Sequence, residues 1–179
     1  MLGLSVRRVA FAGVVAALYV ALTFAVAPIA FGPLQFRISE ALTILPFFFP
    51  VAVPGLFVGC AIANWLLSPY GILDVVVGSA ASLIAGLCTM LLGRLGRDRM
   101  MAKVLACTPP VIVNAVMIGA LITWSTTGAG DLRAFISYGL WVGLGQLAVL
   151  YALGLPLLIY MPRAHVYDRL LQYYNGGTS

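Results

Sequence analysis

Charge is scarce in this 179-residue chain: 8% of its residues are Asp, Glu, Lys or Arg, and it holds one histidine and three cysteines. Soluble domains carry about 25% charged residues, so this composition cannot build a solvated surface. His165 stands near the C-terminus beside Arg163, leaving no nucleophile and base to pair within a membrane and arguing against catalysis. Cys60, Cys88 and Cys107 have neither metal-ligand spacing nor a neighbouring histidine cluster, so they read as packing residues, and no metal or cofactor is expected. The phosphate-cradling pattern G-x-x-x-x-G-K-[ST] is missing, and no polar segment is long enough to form a nucleotide-binding domain.

What is present is apolar. Hydrophobic residues make up 63% of the chain and mean hydropathy is +1.07. Uncharged stretches of helical length, rich in Gly and Ala and without period-two alternation, predict an all-α integral membrane protein rather than a barrel, with residues 1–179 as one domain. Six helices are expected, over Val9–Ala27, Ser39–Phe49, Gly55–Leu67, Leu73–Gly93, Ala102–Trp124 and Ala134–Tyr160. The second and third are short and broken by Pro46, Pro50 and Pro54. The first has no small-residue cleavage site and reads as a spanning helix rather than a signal peptide.

The net charge of +5 does not point to nucleic acid, because the basic residues cluster at the ends of apolar runs. With both termini cytoplasmic, Arg7, Arg8, Arg94, Arg97, Arg99, Lys103, Arg163 and Arg169 fall inside and only Arg37 and Arg133 outside, as the positive-inside rule requires. The chain is thus expected in the cell membrane as a multi-pass protein.

That topology brings the polar exceptions to one external face. The stretch Phe31–Pro50, FGPLQFRISEALTILPFFFP, carries Arg37 and Glu40 three residues apart, spaced to share a helix face and pair. Gln35, Ser39 and Thr43 stand close by. Asp74 follows the turn Ser68-Pro69-Tyr70-Gly71, with Asn64 and Trp65 just before it. Buried carboxylates are costly unless paired or bound. Glu40, Asp74, Asn64, Gln146, Arg37, Tyr70 and Trp141 are therefore the candidate substrate-binding residues, with Trp65 and Trp124 as further flat surfaces. The bland alternatives are that the acids face water and that the tryptophans and tyrosine anchor the protein at the interface. Carboxylates, amides and aromatics together suit a planar, donor-rich heterocycle, since a carboxylate accepts two parallel N–H bonds from a guanine-like edge.

In the first helix small residues recur at fourth positions, Ala12 with Ala16, Ala17 with Ala21 and Gly13 with Ala17. Such spacing lets helices approach closely, either within the bundle or against a partner.

On QFRISEALTILPFFFP at Gln35–Pro50, GLFVGCAIANW at Gly55–Trp65, GILDVVVGSAASLIAG at Gly71–Gly86 and the small-residue first helix, the chain resembles the S components of energy-coupling factor (ECF) transporters. Among these it is most similar to the queuosine-precursor family, QueT. The resemblance covers most of the chain. It implies a six-helix membrane subunit that captures a 7-deazaguanine outside, such as 7-aminomethyl-7-deazaguanine or queuine, and hydrolyses no ATP itself. The implied partners are a transmembrane coupling protein and two cytoplasmic ATPases, with Ala12, Ala16, Ala17 and Ala21 as the docking face. For the site it suggests Glu40 on the ring N–H and exocyclic amine, Asp74 on the aminomethyl cation, and Asn64 and Gln146 on the remaining edge, with the two acids able to exchange roles. An S component for another vitamin or nucleobase, or a structural membrane subunit, stays open.

Overall fold

A computed structural model describes residues 6–31, 35–128 and 130–175, and among these every regular element is helical. Lipid offers no partner for backbone polar groups, so a helix, which bonds all of them internally, is the natural solution for such a sequence. The first helix, α1 (Val6–Ala25), contains no proline. A single further turn, α2 (Ala27–Ala30), has Pro28 in its first positions, where a missing N–H costs nothing. This turn replaces the start of the loop expected after Pro28; Gly32 and Pro33, read as ending that first segment, lie outside the described residues. Phe36 N–H donates to Ile29 O, bringing the chain back beside α2 before residues 35–37 run into the next element.

That next element, Ile38–Phe47, is a 3₁₀ helix rather than the α-helix expected over Ser39–Phe49. Ten residues is long for this conformation. Pro46 has no N–H and its ring would crowd the carbonyl four residues back, while Thr43 Oγ1 donates to Glu40 O at 2.6 Å and draws the first turn tight. Most of the segment is buried, including Glu40, Thr43, Ile44 and Phe47, and it touches α1 as well as the later helices. It is the axis of the bundle.

The helices α3 (Ala52–Leu67) and α4 (Ile72–Gly96) follow. The run expected as one helix to Trp124 is broken at Cys107 into α5 (Met100–Ala106) and α6 (Thr108–Thr126), because Pro109 and Pro110 fit only a first turn. The last run is α7 (Leu132–Val149), a π-helical turn at Leu150–Gly154, and α8 (Leu155–Tyr160). The wider turn sits just ahead of Pro156, whose ring displaces the carbonyls behind it. Asp131 caps α7, accepting from Ala134 N–H at 3.0 Å. The expected C-terminal tail is instead a helix, α9 (His165–Asn175), whose Tyr167 ring packs edge-on to Phe48.

Among the described residues, four helical stretches are long and apolar enough to cross a membrane: Val6–Ala25, Ile72–Gly96, Met100–Thr126 and Leu132–Arg163. Ile38–Phe47 and α3 are apolar but shorter, about 20 and 24 Å at their rises per residue. This makes a multi-pass, all-α membrane protein.

Close contact between α1 and α3 depends on glycine. A Cβ on Gly55 would meet the Ala12 carbonyl oxygen at 2.5 Å, and one on Gly59 would stand 2.9 Å from both Ala16 O and Tyr19 Cβ. Ala16 is therefore buried and Ala12 half-buried within the chain, while Gly13, Ala17 and Ala21 are exposed on the other side of the helix. At the far end of the 3₁₀ segment, Arg97 Nη2 donates to Phe48 O at 2.6 Å and ties the end of α4 to it.

Candidate ligand-binding site

The polar residues of the 3₁₀ segment, α1, α3 and α4 meet in the interior. Arg37, Glu40, Asn64 and Asp74 are each no more than 2% exposed. The expected Arg37–Glu40 pair does not form. Arg37 instead reaches α4, with Nη2 3.4 Å from Asp74 Oδ2, while its Nε donates to Ala30 O at 3.0 Å and its guanidinium lies over the Phe31 ring. The reason is local geometry: Arg37 is in extended backbone at the mouth of the 3₁₀ helix, so it does not share a helical face with Glu40.

Glu40 has a different partner. The Tyr19 hydroxyl, from the middle of α1, donates to Glu40 Oε1 at 2.5 Å, and Tyr19 is fully buried. One turn on, the Thr23 and Ser39 hydroxyls are 2.7 Å apart, and Thr23 Oγ1 lies 2.8 Å from Tyr19 O. With Thr23 donating to that carbonyl, Ser39 donates to Thr23. Two side-chain bonds thus fasten α1 to the segment carrying Glu40.

Asp74 sits in the first turn of α4, where the helix dipole favours an acid. Its Oδ2 accepts from Ser68 Oγ at 2.6 Å as well as from Arg37. Asn64 Nδ2 donates to Asp74 O at 2.8 Å and locks the end of α3 to the start of α4. Gly78 makes room for this, since any Cβ there would overlap Asn64 Nδ2 and stand 3.0 Å from Asp74 Oδ1.

Among the described residues, several buried polar atoms have no hydrogen-bond partner: Glu40 Oε2, Asp74 Oδ1, Asn64 Oδ1, Gln146 Oε1, Gln35 Nε2 and Ser82 Oγ. Buried polar groups in proteins are nearly always paired, and each orphan costs about 1–3 kcal/mol. Acceptors dominate the set. Gln35 also holds φ at 44°, the left-handed region that disfavours a side chain, and strain of this kind collects at functional positions.

Tyr70 is half-buried beside the cluster of Ile118, Ile122 and Val142, with Tyr138 next to it. Burial, and after it the nearby Asp74 carboxylate, raise the Tyr70 phenol above its ordinary value, so it stays a neutral donor. Gln146, on the same helix as Val142, is 2% exposed. Trp141 is not brought to the site: its neighbour Val142 points in, and Trp141 is 51% exposed on the outer face of α7. Trp65 and Trp124 also face outwards, where indole rings settle at the membrane interface. An apolar groove of about 370 Å³ beside Trp124 and Phe135 holds none of the orphaned atoms.

Reading the sequence for charge missed Tyr19, Ser68 and Gly78. Tyr19 had one available signal: a tyrosine in the middle of a span, far from either interface, needs a buried partner for its hydroxyl.

A bundle of apolar helices with buried polar side chains, several of them without a partner, is the construction of a multi-pass membrane protein. The family model of the QueT transporter matches residues 9–163, and the chain belongs to this transporter family. Over 73 residues, 40% of this chain, it is 40% identical to the queuosine precursor transporter QueT of Lactococcus lactis subsp. cremoris (strain MG1363); that stretch spans 42% of the relative's own length. No solved structure matches the chain.

Proposed function

We propose that this chain is the substrate-binding S component of an ECF-type importer, a six-pass subunit with both termini cytoplasmic that captures a 7-deazaguanine queuosine precursor at its external face. ATP hydrolysis then belongs to two partner ATPases, acting through a transmembrane coupling protein. The observation that carries the reading is the set of orphaned acceptors on Glu40, Asp74, Asn64 and Gln146. An aminomethyl-deazaguanine presents ring N–H groups, an exocyclic amine and an ammonium, a donor for each acceptor. Gln35 Nε2 supplies a donor for a ring carbonyl. Tyr70 and Tyr138 offer ring surface where the planar base would stack.

Calorimetric titration of the detergent-solubilised protein with 7-aminomethyl-7-deazaguanine, against guanine and riboflavin, tests this reading. Saturable binding selective for the deazaguanine is expected. A folded sample that binds riboflavin or guanine better would replace it with an S component of different specificity.

A further inference from the structure

The two buried carboxylates of the site differ in one respect that decides what each can recognise. Asp74 already has a cation, with Arg37 3.4 Å from Oδ2 and Ser68 on the same oxygen. Among the described residues Glu40 forms no ion pair: its hydrogen-bond partner is the neutral hydroxyl of Tyr19, with the neutral Asn114 amide close by. A hydroxyl orients a carboxyl group and satisfies one lone pair but brings no positive charge to it. A buried charge without a counter-charge is the costly case.

We propose, building on the reading of this site as a ligand pocket, that Glu40, oriented by Tyr19, takes the cationic amine of the ligand, and that Asp74 takes neutral N–H donors of the ring. Of the two arrangements that the sequence left open, with the acids able to exchange roles, this is the exchanged one. An ammonium placed at Asp74 Oδ1 would stand beside the Arg37 guanidinium that already pairs with that carboxylate, whereas at Glu40 Oε2 it is the first cation within ion-pair distance. Tyr19 is a positioning residue here. Its hydrogen bond to Oε1 fixes the rotation of the carboxylate, so that Oε2 is the oxygen left for the ligand. The Thr23–Ser39 bond one turn away holds α1 in the register that puts Tyr19 there.

The test uses the full-length protein in detergent and two ligands that differ at one substituent: 7-aminomethyl-7-deazaguanine, with a cationic N–H donor there, and its neutral analogue with a nitrile, which has no donor, in place of the aminomethyl group. The readout is the ratio of the two dissociation constants within one preparation, which does not depend on the fraction folded. Glu40→Gln is expected to weaken the amine ligand about 10- to 100-fold, the size of a lost charge-assisted bond, and to leave the nitrile ligand nearly unchanged. Asp74→Asn is expected to weaken both ligands alike. Tyr19→Phe keeps the ring, and it should shift the ratio in the same direction as Glu40→Gln by a smaller factor; an unshifted ratio would reduce Tyr19 to packing. An amine-selective loss in Asp74→Asn with a uniform loss in Glu40→Gln overturns the assignment while leaving the deazaguanine reading intact. Wild-type protein that is folded and binds neither ligand overturns both.

Discussion

Gly78 of α4 lies directly against the Asn64 side chain of α3, and the absence of a Cβ at this one position lets Asn64 reach the Asp74 carbonyl and close the α3–α4 turn. Adding a single methyl group would place it inside Asn64 Nδ2 and within 3.0 Å of Asp74 Oδ1. Gly78→Ala is therefore predicted to swing Asn64 out of the site. Overpacking of this kind costs about 1–3 kcal/mol of stability. Ligand affinity should fall with it, because Asn64 Oδ1 and Asp74 Oδ1 both lose their placement. Thermal unfolding and titration on the same sample measure the two effects, and a variant with native affinity would show that Asn64 is not a contact.

The Arg37–Asp74 pair gives a second prediction, in which stability and binding separate. Removing one partner of a buried ion pair leaves a bare charge and costs about 3–5 kcal/mol, whereas replacing both with apolar groups is often neutral. Asp74→Ala should thus lower the unfolding temperature sharply, and Arg37→Leu with Asp74→Ala should recover much of the loss. Binding should not recover, since Asp74 Oδ1 is gone in both proteins. If the double variant binds as well as wild type, Asp74 serves stability alone.

How far the sequence could be read follows from what kind of signal each feature leaves. Apolar runs with basic ends carry the membrane class and the approximate spans in composition alone, which is why α1, α4 and α7 lie near their expected positions. Prolines mark where helices must change. They do not say how, and so Ile38–Phe47 became a 3₁₀ helix and Cys107 a break. Of the site, the charged and amide residues stood out because polarity is rare in this chain. Their pairing did not, because sequence spacing suggests local partners such as Arg37 with Glu40, whereas the real ones are brought together by packing, Arg37 with Asp74 and Glu40 with Tyr19. Trp141 was a candidate by residue type, and only the rotation of α7 places it on the outside.

The α1–α3 contact offers a third test, of how binding depends on helix register. A Cβ on Gly59 would press on both Ala16 O and Tyr19 Cβ. Gly59→Ala should push α1 outwards, lengthen the Tyr19–Glu40 hydrogen bond and cost about 1–3 kcal/mol of stability. Gly13, in the same helix but with nothing within 4 Å of a Cβ, is the control. There Gly13→Ala should stabilise by up to about 1 kcal/mol through helix propensity and leave ligand affinity alone. Equal effects at the two sites would mean that α1 does not set the position of Glu40.

The two faces of α1 make a last prediction, on the proposed coupling to a partner. Ala16 is buried against Gly59, so Ala16→Leu must disturb the bundle and, through Tyr19, the site. Ala17 and Ala21 are exposed. If small residues there let another protein's helix approach closely, as such stripes do in membranes, Ala17→Leu and Ala21→Leu should leave ligand affinity in detergent unchanged and abolish uptake in cells expressing the whole importer. The combination matters. Lost affinity would place these residues in the bundle's own packing, and unimpaired uptake would move the docking surface to another helix. Only native binding with failed transport assigns the outward face of α1 to a partner, and it would separate the two sides of one helix into a ligand side built around Tyr19 and Thr23 and a docking side built around Ala17 and Ala21.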